Sequence, residues 1–369
     1  MVTLTLWATE DLAPGATAAG RILRNQFDAF TAANPTIHVD VILKKPYGKG
    51  GMLDFLTTSA VAPDQLPDLA TLDISEVPQA AAAGMLQPLD LLLNANLKDD
   101  LFPFAYQAAL YQGKWVSVPF TADIEHLVYA KSLVKRVPLT WDDLLKQKSP
   151  LLFAAGGDSA FLVQYLALTP LLDATNQLVV DTNAASQVLN YFKRAHDLGL
   201  VSDAAIGLKS SEEAWPTFAA GKVAMVQALA SRYLADRDKL PDAAYAAIPT
   251  RDGRVAAVAT GWSFVIVTNN PVRRAAAAKF VQWIVQGERL APWLRTARRL
   301  PTSRSTLLLS VDPVEYAAFL SDPLEHASFV PPTGMYSKAA DAWRAAMAAV
   351  WKGQTTPEEA ARNIAAALK

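Results

Sequence analysis

The sequence predicts an α/β protein of more than one domain, and three observations carry that prediction. Strand-like and helix-like stretches alternate through the first part of the chain in the order β-α-β-α-β. The chain has 369 residues, too many for one compact core. Hydrophobic residues make up 51% of it and charged residues 19%, enough to fill two cores. No run of about 18 apolar residues is free of charge, so no membrane-spanning segment is expected.

Residues 2–7 alternate as a strand, a loop covers 8–20, and a helix is expected over 21–33, stopped by Asn34-Pro35. Residues 37–42 form a second strand. The glycine-rich stretch 47–51 leads into a helix over 52–60, residues 69–72 have the apolar run of a buried strand, and 77–84 form a short helix closed by glycine. Thr140-Trp141-Asp142-Asp143 is a helix start with a threonine cap and acids in the first turn. Helices follow over 186–198 and 212–220, and a buried strand over 223–226. Residues 264–267 resume a β run, and 272–285 form an amphipathic helix. The last helix begins at Thr356-Pro357-Glu358-Glu359.

Composition excludes several functions. The formal net charge is -1, without the basic excess of a nucleic-acid binder. The densest basic stretch, Arg295, Arg298, Arg299 and Arg304, is expected to be a solvated helix end. Absence of cysteine removes disulfides, thiolate metal sites and cysteine nucleophiles. No dinucleotide fingerprint, nucleophile elbow or His-Glu-x-x-His motif occurs, and Gly221-Lys222 lacks the rest of a phosphate loop. The four histidines are scattered, so neither metal nor cofactor is predicted. Glu125 and His126 would point to opposite faces of a strand, as a surface pair. The loop 47–51, with Lys49, can be a plain turn ahead of a helix or an anion cradle.

Two tryptophans stand where a ligand could meet them. Trp7 ends the first strand, and open α/β sheets bind ligands outside the carboxyl ends of their strands. Trp262, in Thr260-Gly261-Trp262-Ser263, lies between two apolar runs. An indole face packs well on the C–H surface of a sugar ring while neighbouring carboxylates take its hydroxyls.

Several segments, in order along nearly the whole chain, resemble the family 1 extracellular solute-binding proteins, the maltose-binding-protein-like components of bacterial ABC importers. They are residues 30–39, Leu66-Pro67-Asp68-Leu69 with 83–90, 113–120 running on to Tyr129-Ala130-Lys131, 138–145, 218–225 and 353–360. The resemblance implies a two-lobed periplasmic-binding-protein fold of type II, each lobe a mostly parallel sheet flanked by helices, with ligand in the cleft between them. It implies an N-terminal lobe of 1–121 and 261–305, a C-terminal lobe of 122–260 and 306–369, and hinge crossings near 121–125, 259–263 and 303–307. The ligand residues carried over are Asp123, four residues after Pro119; Asp73, six after Pro67; Trp262 with Gly261; and Glu10, with Asp11, in the loop after the first strand. Tyr47, Tyr233 and Tyr336 lie in segments that line the cleft of relatives. Three positions depart from the pattern: Ala130 stands for asparagine, Thr260 for glycine, and Ser231-Arg232-Tyr233 lacks a tryptophan that would be a stacking platform.

The resemblance therefore implies a monomeric binding protein, not an enzyme, that closes about a hinge on a sugar and delivers it to membrane permease subunits. The alternative cargo is a charged solute, a phosphorylated polyol met by Lys49 and Arg232 or a polyamine met by Asp73 and Asp123. A cleft hydrolase would have to use Asp73 with Asp123 as its acid–base pair. No basic segment, apolar run or cleavage site precedes the first strand, so either the chain is cytosolic or its leader is absent from this sequence. The family resemblance implies the second, with the protein in the periplasm or lipid-anchored at the cell surface.

Overall fold

The computed structural model describes residues 1–62, 65–173, 178–329 and 333–368. Contacts divide the chain into two compact units, residues 1–123 with 260–321 and residues 124–259 with 322–369. Eleven strands are described: β1 (Val2–Ala8), β2 (Ile37–Leu43), β3 (Leu69–Asp73), β4 (Leu110–Tyr111), β5 (Lys114–Trp115), β6 (Val118–Ala130), β7 (Leu151–Leu152), β8 (Met225–Leu229), β9 (Ala243–Ala246), β10 (Ala257–Ile266) and β11 (Ala327–Phe329). The chain passes from one unit to the other inside β6 and again inside β10.

In the first unit β1 pairs in parallel with β2 and β3, and β3 pairs antiparallel with β10. Side chains alternate across this sheet with period 2. On one side Ala70, Leu72, Val265 and Val267 pack with Trp7 against helices α2 (Met52–Thr58) and α3 (Val77–Ala82). Phe264 faces the other way and meets Phe120 and Phe280; Phe280 in turn packs edge-on against Phe27 and Phe30 of α1 (Ala18–Ala33). The α1 helix starts three residues earlier than its apolar pattern, because the Thr17 hydroxyl accepts the Gly20 N–H and caps the new turn.

Asp68 ties this unit together. Its side chain is buried, accepts the Thr5 N–H of β1 at 2.8 Å, and takes both sides of the Arg273 guanidinium, with Nε at 2.6 Å. Its backbone carbonyl receives the N–H groups of Val267 and Thr268. The Pro67-Asp68 dipeptide thus fixes where β3 begins against both neighbouring strands. Charge-assisted, bidentate pairing of this kind is among the stronger polar contacts a protein makes.

The last junction between units falls after Ser321, later than the expected 303–307. Asp100 explains the difference. It accepts the Ser305 N–H at 3.0 Å and the Arg304 N–H on its carbonyl, holding the helix Arg304–Ser310 to the first unit with Leu307 buried. The arginines around it are tertiary ties, not only a solvated helix end. Arg295 donates to the Leu309 carbonyl and pairs with Asp312 at 2.9 Å, and Arg299 pairs with Asp11.

In the second unit β8 pairs antiparallel with β6 and in parallel with β7, β6 pairs antiparallel with β9, and β10 pairs in parallel with β11. Its helices Thr182–Asp197, Thr333–Trp351 and Pro357–Ala367 pack on one another. The helix predicted from 186 starts at Thr182 because Asp181 accepts two N–H groups of its first turn. Thr140 and Asp143 form a reciprocal capping box that starts the helix Trp141–Leu145, whose Trp141 stacks on Tyr191 at 4.5 Å.

His126 corrects the expected surface pair. Glu125 and His126 do point to opposite sides of β6, but His126 is fully buried against Tyr233, with its Nδ1 3.0 Å from the Leu127 carbonyl. Burial lowers its pKa to about 4. In the unfolded chain histidine protonates near 6.5, so between those values the unfolded state holds the extra proton. The stabilisation is complete above about pH 6.5 and is lost as pH falls through 4. It amounts to about 3 kcal/mol by linkage. Urea unfolding monitored by tryptophan fluorescence should show this loss between pH 6.5 and 4.5, and a His126→Phe variant should have a flatter profile.

Gly261 is equally bound to its place. A Cβ there would stand 2.2 Å from the Thr121 carbonyl oxygen and 3.2 Å from the Ala122 Cα, both backbone atoms. Gly261→Ala should lower stability by about 1–3 kcal/mol, read as a lower urea midpoint with unchanged m-value.

Candidate functional site

The β3–β10 register places Trp262 directly opposite Asp73 at the carboxyl end of β3. Trp262 sits in the middle of β10, a single continuous strand, and not at a strand start between two runs. Tyr47, from the loop after β2, reaches over to the pair. Its hydroxyl donates to Asp73 Oδ2 at 2.7 Å, and its ring lies 5.8 Å from the Trp262 ring at a 36° tilt. Ser75 donates to Asp73 Oδ1 twice, from its N–H at 2.9 Å and its hydroxyl at 2.7 Å. Asp73 therefore accepts three local hydrogen bonds, and a carboxylate offers about four lone-pair positions. Burial, and after it the charge of Asp73, pushes the Tyr47 hydroxyl far above its ordinary range, so it remains a donor.

Glu76, at the start of α3, completes the group and has no counterpart in the sequence expectations. It is 8% exposed, and its Oε2 has no hydrogen-bond partner among the described residues. Burial, then the neighbouring charge of Asp73, raises its pKa to about 7. Asp73-Ile74-Ser75-Glu76 does contain a local signal: an acid whose side chain is bonded by the residue two places on, the pattern of an Asx turn at a helix entry.

Beside this group lies a cavity of about 780 Å³ lined by Thr9, Glu10, Asp11, Lys44, Lys45, Pro46 and Arg299 among others. It reaches the chain next to Tyr47 through Pro46, and Arg299 is close enough to act electrostatically on the Tyr47 hydroxyl. Glu10 and Asp11 are both exposed, and Asp11 is held by the Thr9 hydroxyl at 2.7 Å and by Arg299.

Trp7 does end β1, but its indole is buried in the sheet–helix core, edge-on to Phe55 at 6.1 Å and covered by Lys44 Nζ at 4.3 Å. It is a packing residue. Asp123 is half-buried in β6, at the end of the first unit. Tyr233 and Tyr336 belong to the second unit. Tyr233 is in a buried ring cluster with His126 and Tyr245. Tyr336 is buried edge-on to Trp343, seven residues on along the same helix, which puts both on its core stripe. Gly261 serves the backbone contact with Thr121, and its carbonyl accepts the Ile74 N–H.

The glycine loop is a turn and not an anion cradle. Gly48 and Gly50 take the left-handed backbone conformation that glycine favours, and the loop's N–H groups are used locally: Gly50 bonds Asp54 at 2.7 Å and Gly51 bonds the Gly48 carbonyl. Among the described residues no group of three or more histidine, aspartate or glutamate side chains is placed to hold a metal ion. None of their helices is long and apolar enough to cross a membrane.

Comparison with known proteins agrees with this architecture. A putative binding protein of Brucella abortus is 23% identical over 365 residues, covering 92% of this chain and 86% of its own. A maltotriose-binding protein of Pyrococcus abyssi is 32% identical over 85 residues, 23% of this chain and 19% of its own. The crystal structure of a cyclic α-maltosyl-1,6-maltose binding protein from Arthrobacter globiformis superposes with a TM-score of 0.82 at 22% identity, covering 100% of this chain and 98% of that one. The profile described as bacterial extracellular solute-binding protein matches residues 25–320. With a match of that extent on this fold, the chain belongs to the bacterial extracellular solute-binding protein family.

Proposed function

We propose that the chain is the extracytoplasmic binding component of an ABC importer, that its cargo is a sugar of the maltooligosaccharide class, and that it passes this cargo to a membrane permease. One observation carries the sugar reading: an aromatic ring and a hydrogen-bonded acid are held side by side, Trp262 opposite Asp73, with the Tyr47 hydroxyl between them as a donor. A sugar ring needs both an apolar face for its C–H surface and acceptors for its hydroxyls. The Arthrobacter and Pyrococcus relatives, by their descriptions, bind maltose-type sugars. Glu10 at the neighbouring cavity, Asp123 and Tyr233 are further candidates for contacts with the same ligand.

A charged cargo has less support. Arg232, the cation expected to meet an anion, is taken by Glu212 and Asp236. An acid–base role for Asp73 is disfavoured by the donors already on it, which make it a fixed acceptor.

In titration calorimetry with maltotriose, Trp262→Ala should weaken binding at least tenfold, about 1.4 kcal/mol. Tyr47→Phe should weaken it by a smaller factor. Unchanged affinity in both variants would place the site elsewhere. A neutral ligand also requires that affinity change less than about threefold between low and high salt, whereas a charged cargo would show strong screening.

A further inference from the structure

The acid pair at the end of β3 is unequal. Asp73 has three donors: the Ser75 N–H, the Ser75 hydroxyl and the Tyr47 hydroxyl. Glu76, next to it and nine-tenths buried, has an Oε2 with none among the described residues. A buried carboxyl oxygen without a partner is costly, and it is an open hydrogen-bonding position beside a group already organised for binding. The groups that face it are Asp73 from β3 and Tyr47 from the loop after β2, with Arg299 acting on Tyr47 from beyond the helix Gly287–Ala297. Asp73 fills the acceptor role, and a protonated Glu76 would add a donor beside the Tyr47 hydroxyl.

We propose that Glu76 is a ligand-binding residue of this site and acts as a neutral carboxyl that donates its proton to an oxygen of the bound sugar. The proposal rests on the sugar-binding reading above and names the group that makes that binding sensitive to pH. A sugar hydroxyl bound at Asp73 would lie near Glu76, which is close enough to Asp73 to feel its charge. Ionising Glu76 there would remove the donor and set a second negative charge beside Asp73 under a ligand that excludes water.

The sign follows from linkage. Free Glu76 titrates near 7, and the bound state holds its proton more tightly. Affinity is then full below about pH 6, falls as pH rises through 7 and beyond, and binding takes up protons in that range.

The test is maltotriose titration of the whole protein at pH 5.5, 7.0 and 8.5, in pairs of buffers with different ionisation heats. The wild type should lose on the order of tenfold in affinity between the lowest and highest pH and take up protons near pH 7.5. Glu76→Gln, which keeps a neutral donor, should bind within about threefold of wild type at pH 5.5 and keep that affinity at pH 8.5. Glu76→Ala should be weak at every pH. Wild-type binding that is independent of pH, that strengthens with pH, or that Glu76→Gln leaves with an unaltered profile overturns the role of Glu76 alone. If maltotriose binds neither wild type nor Glu76→Gln at any pH, the sugar reading falls, and the role of Glu76 falls with it.

Discussion

Trp262 and Asp73 meet because two strands from distant parts of the chain pair in one register. β3 is five residues long and entirely buried, so it offers no in–out alternation to set its register. Asp68 sets it. The carboxylate holds the Thr5 N–H of β1 and the Arg273 guanidinium, and the carbonyl holds the end of β10. A slip of one residue would turn every side chain of β3 to the opposite face and carry Asp73 away from Trp262. A set of polar contacts at the start of the strand therefore decides the geometry of the candidate site at its end.

Much of this could be read from the chain before folding. The order of strands and helices and the caps at Thr140 and Thr356 followed from local patterns, whereas Asp73 was named by the family resemblance and the register that sets it opposite Trp262 was not legible. The caps are legible because a threonine hydroxyl and the N–H three residues on are neighbours in sequence as well as in space. What stayed hidden depends on long-range packing. His126 looked like half of a surface pair, yet its burial is decided by Tyr233, more than a hundred residues away. Trp7 and Tyr336 carry the right chemistry for a ligand, but their neighbours claim them for the core. The loop at Gly48–Gly51 resembles an anion cradle until Asp54 is seen to occupy its N–H. Glu76 was missed because nothing in its sequence neighbourhood tells that both it and Asp73 are buried together.

The two acids also show how one short segment can divide labour. They are three residues apart, at the transition from strand to helix. The donors sit on Asp73, and the desolvation falls on Glu76 without compensation, which raises it while its neighbour remains the acceptor. Environment, not residue type, separates their behaviour.

The pairing of β3 with β10 also bears on how the molecule is made. The partner of Asp73 is encoded about 190 residues downstream, beyond the whole first stretch of the second unit. At ribosomal rates of about 5–20 residues per second, β1, β2 and β3 wait for roughly 10–40 seconds with one edge of an apolar strand uncovered. An open strand edge is a template for pairing with the wrong chain. The second unit's first stretch, residues 124–259, meanwhile has most of its own partners at hand. The late arrival of β10 thus exposes the nascent protein to aggregation at the same edge that later holds its candidate site, and any holdase serving this chain would find its natural target there.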